Sequence, residues 1–394
     1  MNIRKITFGN FKSLYNAAFE PGKVNVFIGA NGSGKTTILE AIGLLSAAMT
    51  DRVDSSSLQR KGVRLSIPSL YKSSFKDLKR QRSMIDLSLE WEDDCCTDKF
   101  RYDVHLTTPT DTDYWKYHSE AFLQNGEKIW GRSNASQQQS NSYIGFFLID
   151  NDPELTTGRK IAEDFSSYGI FQPNTLTLRG TIPDPNQVSP VGLNGGRLAE
   201  AIRTLIHEND GDLFFGNLYM DDILDMIDWA SDISVDTPKK TTINANIPTT
   251  RQVIEFTDRY MKDTARFTGY DASEGALYVL FMLTLAMHPM GPSIFSVDSF
   301  DHALNPRLAK KMIQVFCEQI IQNNKHVFLT THNPLVLDGL DLRNDDIRLF
   351  AVDRDSNGYA QIRRISVSQE LIDEGLPLSR LWISGRLGGV PSLL

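Results

Sequence analysis

Three cysteines among 394 residues, Cys95, Cys96 and Cys317, are too few for a disulfide framework, and none falls in CxxC spacing. Such a pattern fits a reducing compartment and argues against a cysteine-held metal. Long apolar runs are missing too. The longest, Ala276 to Met287, is interrupted by Thr284 and reads as a buried helix too short to span a bilayer. The opening MNIRKITFGNFKSLYN has no apolar core of a signal peptide and no small-residue cleavage site, so a cytoplasmic chain is expected. There is no heptad run, no internal repeat and no long linker, which excludes coiled-coil arms and a string of small domains. A net charge of −8 excludes a polycation that coats nucleic acid along its whole length. With 41% hydrophobic and 23% charged residues the chain is also too apolar for disorder, and it is long enough to bury a large core without staples.

What is present has the pattern of an α/β protein. Residues 3–11 alternate as a strand, Pro21-Gly22 make a turn, and Val24–Ile28 form an apolar run expected of a strand buried on both faces. A glycine-rich loop follows, then a helix over 36–49. Nine Lys/Arg against two Asp mark 52–82 as a basic run. Strands are expected at 84–92 and 100–107 as a hairpin, with an exposed polar hairpin or loop over 107–142 and strand-like pieces at 144–149 and 176–178. Apolar periodicity predicts helices with Leu198, Ile202, Leu205 and Ile206 on one face, and with Met220, Ile223, Leu224 and Ile227 on another, and residues 233–256 read as strand and turn. The buried helix from Ala276 leads to a strand over 293–297, a helix over 307–322, a strand over 326–330 and a closing strand pair within 347–365. The expected organisation is a single body. Residues 1–189 and 291–394 build a nucleotide-binding α/β lobe, and a helical lobe over 190–290 is inserted in it.

Gly29-Ala30-Asn31-Gly32-Ser33-Gly34-Lys35-Thr36 matches GxxxxGK[ST] at every position and lies between the buried strand and the helix. Glycines let successive N–H groups curl around a β-phosphate, and the helix beginning at Lys35 adds its positive end. Asn31, Gly32, Ser33, Gly34, Lys35, Thr36 and Thr37 are therefore the expected phosphate contacts, with Lys35 reaching the β- and γ-phosphates and the Thr36 hydroxyl ligating Mg²⁺. Asp298 ends an apolar strand (Phe295-Ser296-Val297-Asp298), the place where a P-loop fold holds Mg²⁺. Alone, such an aspartate would read as a helix cap. Ala272-Ser273-Glu274-Gly275-Ala276 starts the buried helix. Its bland reading is an N-cap at Ser273, and its functional one a set of amides and a hydroxyl for a γ-phosphate. Thr330-Thr331-His332-Asn333-Pro334 follows the next strand, and His332 there is either structural or a γ-phosphate sensor.

In this order the motifs resemble the ABC-type ATPase head of the RecF/OLD/SMC group: IRKITFGNFKSL, GANGSGKT, ASEGA, FSVD with SFDHALNP, and TTHNP. The resemblance covers nearly the whole chain. It implies a P-loop NTPase of two lobes with a mixed central sheet, which binds ATP and Mg²⁺ and dimerises head to tail. Ser273 and Gly275 of one subunit would face the nucleotide cradled by Lys35 of the other. Gln172 would be the glutamine that bridges Mg²⁺ to the second lobe. One position departs from the family. Ser299 stands where a glutamate usually follows the Asp298 position, and serine cannot take a proton from the attacking water. Asp301, at the family's second acidic position, offers a replacement. The alternative is slow or absent hydrolysis, with ATP acting as a clamp.

The spacing from Lys35 to Ser273 leaves out the long arms of SMC proteins, the segment after His332 is too short for a Toprim nuclease, and no NKxD follows the loop, which argues against a GTPase. ATPases of the stand-alone OLD-like kind control a separately encoded nuclease or toxin in antiphage defence, as in the Septu, PARIS and retron-associated systems. The resemblance implies a homodimer or higher oligomer acting on such an effector. Two further readings stay open: a catalytically silent, ATP-clamped scaffold, and a RecF-like DNA repair ATPase. The 52–82 run reads either as a solvated loop or as a surface for DNA or other nucleic acid phosphates or an acidic partner, and no membrane partner is expected. Tyr114, Trp115 and Tyr117 offer either a stacking surface or a pin that holds the 107–142 hairpin to the body.

Overall fold

A computed structural model describes residues 2–50, 52–92, 98–110, 112–132, 140–142, 156–262, 266–366 and 375–390. Two six-stranded sheets dominate. The first is antiparallel: β1 (Asn2–Phe11) lies between β2 (Leu14–Phe19) and β4 (Met84–Glu92), and β5 (Lys99–Thr107), β6 (Lys116–Gln124) and β7 (Glu127–Arg132) extend it beyond β4. The second contains β3 (Val24–Ile28), β8 (Ile170–Phe171), β15 (Ile294–Val297), β16 (His326–Thr330), β17 (Ile347–Arg354) and β18 (Ala360–Ile365), in the order β18-β17-β3-β16-β15-β8. Every pair in it is parallel except β17–β18, so the sheet is mixed.

Alternate residues of the second sheet enter two different cores. Val24, Val26, Ile28, Phe295, Val297, Val327 and Leu329 face one core, with the helices Glu274–Met287 and Pro306–Gln322. Phe27, Ile294, Phe328 and Phe350 face the other, shared with the helix Lys35–Thr50 and the inner face of the antiparallel sheet. This double burial is why these strands read as continuous apolar runs rather than as alternating ones. The chain leaves β3 between β16 and β17 at the carboxyl edge of the sheet, the switch point where open α/β sheets bind ligands.

Residues 190–290 hold the expected helices, Leu198–Leu205, Met220–Met226 and Glu274–Met287. They also hold two three-stranded antiparallel sheets. One comprises β9 (Ile206–Asn209), β10 (Asp212–Phe215) and β11 (Leu218–Tyr219). The other comprises β12 (Ala230–Asp236), β13 (Val253–Asp258) and β14 (Arg266–Thr268). The inserted segment is therefore mixed rather than helical, because Asp210-Gly211 and neighbouring polar turns fold short alternating segments back as hairpins.

Two other expectations are corrected. The 107–142 segment is not an exposed hairpin or loop in its described residues: β6 and β7 form a hairpin that extends the antiparallel sheet, and Trp115, Tyr117 and Phe122 are buried beneath it, in keeping with the pin reading. The Tyr117 hydroxyl donates to the Ala48 carbonyl (3.0 Å), which pins the strand to the Lys35–Thr50 helix. Leu176–Leu178 is part of a helical turn, Thr175–Leu178, because the Asn174 side chain accepts from the amides of Leu176 and Thr177 and caps it. The strand expected over 144–149 and the pair Cys95 and Cys96 lie outside the described residues. Cys317 is buried, and burial pushes its thiol pKa up. No helix of the described residues is long and apolar enough to cross a membrane.

Candidate functional site

The phosphate loop follows β3 without a break, and the helix Lys35–Thr50 begins at its last glycine step, where the Ile38 amide donates to the Gly34 carbonyl (3.1 Å). Because the strand is buried on both faces, its end is fixed, and so is the direction in which the helix dipole points. Tyr168 ties this helix to the neighbouring strand: its hydroxyl donates to the Leu39 carbonyl (2.9 Å) and lies 2.5 Å from the Ser296 hydroxyl.

Three side chains from three segments meet at Asp298. The Thr36 hydroxyl contacts both carboxylate oxygens (3.2 and 3.0 Å). Gln172, just past β8, donates its amide to Oδ2 (2.9 Å), and the Thr330 hydroxyl at the end of β16 donates to Oδ1 (2.5 Å). The sequence reading had singled out Thr36, Asp298 and Gln172, and the fold brings all three together. Thr330, within TTHNP, joins them without an expected role; the signal for it is its place at the end of a strand adjacent to the Asp298 strand.

Lys35 is buried, and its ammonium donates to the carbonyls of Gly29 (2.8 Å) and Ala30 (3.0 Å). Burial lowers its pKa to about 8, against the opposing pull of Asp298 and Asp301. Asn31 and Gly32 form the exposed crown of the loop, while the backbone of buried Ser33 turns inward, its amide donating to Ala30 (3.2 Å). Thr37 is half-buried on the first helical turn.

Asp301 engages the switch segment. Its Oδ1 accepts from the Thr331 hydroxyl (2.7 Å) and from the His332 amide (3.2 Å). The imidazole of His332 has its pKa held below the usual value by partial desolvation first and by Lys35 second, while Asp301 and Asp298 pull the other way. Ser299 takes a left-handed backbone conformation (φ 64°). Its amide donates to the Thr330 hydroxyl (2.8 Å), and its carbonyl accepts from Tyr278 (2.9 Å). The position after Asp298 is thus held by backbone bonds and offers no proton acceptor of carboxylate strength.

Ser273 caps the Glu274–Met287 helix by accepting from the Ala276 amide, and it also accepts from the Trp229 indole (both 3.3 Å). It is an N-cap and is exposed as well. With Gly275 it opens onto a cleft of about 510 Å³ lined by Trp229, Ala303, Asn305 and Arg307, and no phosphate-loop residue lines that cleft. Glu274 between them accepts from Thr175 and lies 3.6 Å from His302, so the start of this helix is wired to the segment after Gln172 and to the segment after Asp301.

Several contributors escaped the sequence reading because they act on backbone atoms. Arg354 donates to the Gly32 carbonyl (2.9 Å), and a Cβ at Gly34 would meet the Ser13 hydroxyl at 2.9 Å and Ala360 at 3.1 Å. The strand pair β17–β18 therefore walls the loop. Glu40, one turn beyond Thr36 and fully buried, takes Lys12 (2.6 Å) and Arg64 (2.7 Å) on separate oxygens. The basic run is consequently divided. Lys61 is buried, Arg52, Arg64 and Arg82 are exposed but have partners within the chain, and Arg60, Lys76, Lys79 and Arg80 are exposed.

Comparison with known proteins bears on the fold and the family. Residues 1–150 match the family described as AAA ATPase domain, and residues 182–338 the family described as AAA domain, putative AbiEii toxin, Type IV TA system. Two curated relatives are DNA replication and repair protein RecF of Phocaeicola vulgatus, 36% identical over 76 residues, and of Renibacterium salmoninarum, 44% identical over 55 residues. These stretches cover 18% and 14% of this chain and only 20% and 14% of those proteins. Among solved structures, the Pyrococcus furiosus Smc head domain bound to the C-terminal domain of ScpA superposes with a TM-score of 0.53 at 11% identity, over 98% of this chain and 99% of that one. The Thermotoga maritima SMC head domain gives 0.47 at 14% identity, over 93% and 100%. Fold, matched families and motif order together support an ABC-type ATPase head of the RecF/SMC kind.

Proposed function

We propose that the chain binds MgATP in the Asn31–Thr37 loop, closes into ATP-sandwiched dimers, and by that closure controls a separately encoded nuclease or other effector in antiphage defence. The observation that carries the nucleotide step is the convergence of Thr36, Gln172 and Thr330 on Asp298 directly beside Lys35. The donor set fits Mg²⁺, a hard cation that takes one or two carboxylates and fills its shell with phosphate and water oxygens. Among the described residues no cluster of three His, Cys, Asp or Glu exists that would favour a softer or all-protein metal site. Thr36, Asp298 and Gln172 would hold the ion, which supplies neutralisation of phosphate charge when bound. The loop amides and Lys35 orient the phosphates. His332, kept neutral near pH 7, is suited to hydrogen bonding at the γ-phosphate end, and Asp301 is the carboxylate we assign to proton acceptance in place of position 299.

Dimerisation is supported by the separation of the Ser273–Gly275 cleft from the phosphate loop of the same chain. A helix N-terminus that faces solvent can complete a site only when a second subunit presents its phosphates. The phosphate site is linked to the Ser273 cleft: Gln172 touches Asp298, and Thr175, three residues on, touches Glu274 at the start of the helix capped by Ser273. The defence assignment draws support from the toxin-system description of the second matched family. A RecF-like repair role is the second reading, favoured by the RecF stretches and by exposed cations of the basic run such as Arg60, Lys76, Lys79 and Arg80. A silent ATP-clamped scaffold is favoured by Ser299 alone.

Steady-state ATP turnover, measured with and without DNA for the natural chain, Lys35→Ala and Asp301→Ala, tests the assignment. Loss of turnover in both variants is expected if Asp301 takes the proton. Turnover that survives Asp301→Ala would remove that residue from the chemistry, and tight ATP binding with no turnover in any form would leave the scaffold reading standing. Strong DNA stimulation that weakens with salt would favour the repair reading.

A further inference from the structure

The last described residues of the chain lie on the phosphate loop, and nothing in the nucleotide motifs accounts for them. After the helix Leu378–Ile383 the chain turns at Gly385, buries Leu387 and reaches Gly388 and Gly389, both in left-handed conformations (φ 75° and 71°). The Gly389 amide donates to both carboxylate oxygens of Asp353 (2.9 and 3.1 Å), and the Arg363 guanidinium donates to the Leu387 carbonyl (2.6 Å). Asp353 is two residues beyond Ala351, the β17 partner of Ile28, so its carboxylate stands at the strand edge from which the phosphate loop departs.

The approach to that edge is backbone to backbone. A Cβ placed on Gly389 would lie 3.2 Å from the Gly29 Cα, 3.4 Å from its nitrogen and 3.4 Å from the Ile28 carbonyl oxygen. Gly29 has no room to retreat, since a Cβ of its own would meet the Val352 carbonyl oxygen at 2.3 Å and the Ser33 hydroxyl at 2.7 Å. The first residue of the loop is therefore held between β17 and the C-terminal turn.

We infer that the Gly388–Gly389 turn, anchored by Asp353 and Arg363, is a positioning element of the nucleotide site that fixes the base of the phosphate loop. The inference rests on the ATP-binding reading above. Loop amides bind a phosphate well only when they converge to within a fraction of an ångström, and a displaced Gly29 passes its shift along the loop towards Lys35. By linkage, the phosphate that orders the loop also tightens the C-terminal turn, so nucleotide occupancy is reported to the far end of the chain.

The test uses two alanine substitutions with matched backbone strain. Gly389→Ala adds its Cβ against Gly29. Gly385→Ala suffers the same left-handed penalty (φ 78°), but its Cβ meets nothing within 4 Å. Equilibrium MgATP binding and Tm without nucleotide are measured for both, beside the natural chain and Lys35→Ala. Gly389→Ala is expected to weaken ATP binding about tenfold or more, while Gly385→Ala lowers Tm comparably and leaves affinity unchanged. Amide exchange over 384–390 is expected to slow when the natural chain binds MgATP. Natural affinity in Gly389→Ala, or equal weakening in both variants, overturns the inference and leaves the ATP reading intact. If the natural chain retains no more ATP than Lys35→Ala, the ATP reading fails and takes this inference with it.

Discussion

A buried ammonium among neutral carbonyls is held at a cost, and Lys35 shows it. Its pKa falls to about 8 because burial disfavours the charge. The sign of the stability effect follows. Below about pH 8 the folded chain carries a charge that burial penalises, and above the unfolded value of 10.5 the side chain is neutral in both states, so the penalty fades between the two. Lys35→Met keeps the apolar stem and removes the charge, and losing two hydrogen bonds offsets part of the gain. We expect it to be as stable as the natural chain at pH 7, or more stable by about 1 kcal/mol, with the advantage shrinking towards pH 10. Thermal melts across that range check this. The same substitution should abolish ATP retention, which makes Lys35 a residue kept for binding rather than for folding.

Single residues also show where sequence reading ran short. The matches at Lys35, Thr36 and Asp298 were legible because phosphate and Mg²⁺ chemistry demands particular side chains at particular offsets from a strand end. Gln172 was legible only through the family resemblance, and the fold then placed its amide on Asp298. Arg354, Asp353 and Gly389 carry no such signature. They hold backbone atoms of the loop, and their positions become meaningful only once β17 is paired beside β3.

At the scale of elements, burial on one or both faces decided what could be read. Val24–Ile28, Ile294–Val297 and His326–Thr330 are apolar throughout because both faces are covered, and each lies within two residues of its expected bounds. The 107–142 region misled because its polar residues are those of the outer face of a sheet whose inner face holds Trp115, Tyr117 and Phe122. Trp115→Ala should therefore destabilise the fold by about 3–5 kcal/mol, the range for a large aromatic removed from a core, and chemical denaturation would measure it. Wild-type stability would return the hairpin to the surface. At 190–290 the helix periodicities held except at Ile206, which begins β9, and the strand-and-turn reading of 233–256 met β12 and β13; the hairpin of β9 to β11 was not seen, since two- to four-residue strands such as Leu218–Tyr219 are too short to show a period. The element most exposed to test is the Glu274–Met287 helix. Ser273→Arg should leave ATP binding by the single subunit unchanged and block ATP-dependent dimerisation, read by light scattering with and without MgATP. Dimers that persist would detach the Ser273 cleft from the subunit interface.

For the whole molecule, the architecture places the phosphate loop and the Ser273 cleft apart on one body. The phosphate loop, Asp298 and His332 gather at the carboxyl edge of the mixed sheet, and Ser273 and Gly275 face a separate cleft. Side-chain bonds from Asp298 through Gln172, and from Thr175 to Glu274, give the two regions a mechanical connection, so ATP at one can bias the other. The same reading explains why the antiparallel sheet and the C-terminal turn are packed against the loop: both brace it, one through the Lys35–Thr50 helix and the other at Gly29.

The central claim is that this edge of the sheet binds MgATP, and equilibrium binding of ATP to the full chain tests it most directly, with Lys35→Ala and Asp298→Asn measured beside it. The account predicts saturable binding by the natural chain, loss of binding in Lys35→Ala, and in Asp298→Asn a loss confined to the Mg²⁺-dependent part of the affinity. Undiminished ATP affinity in Lys35→Ala would contradict it.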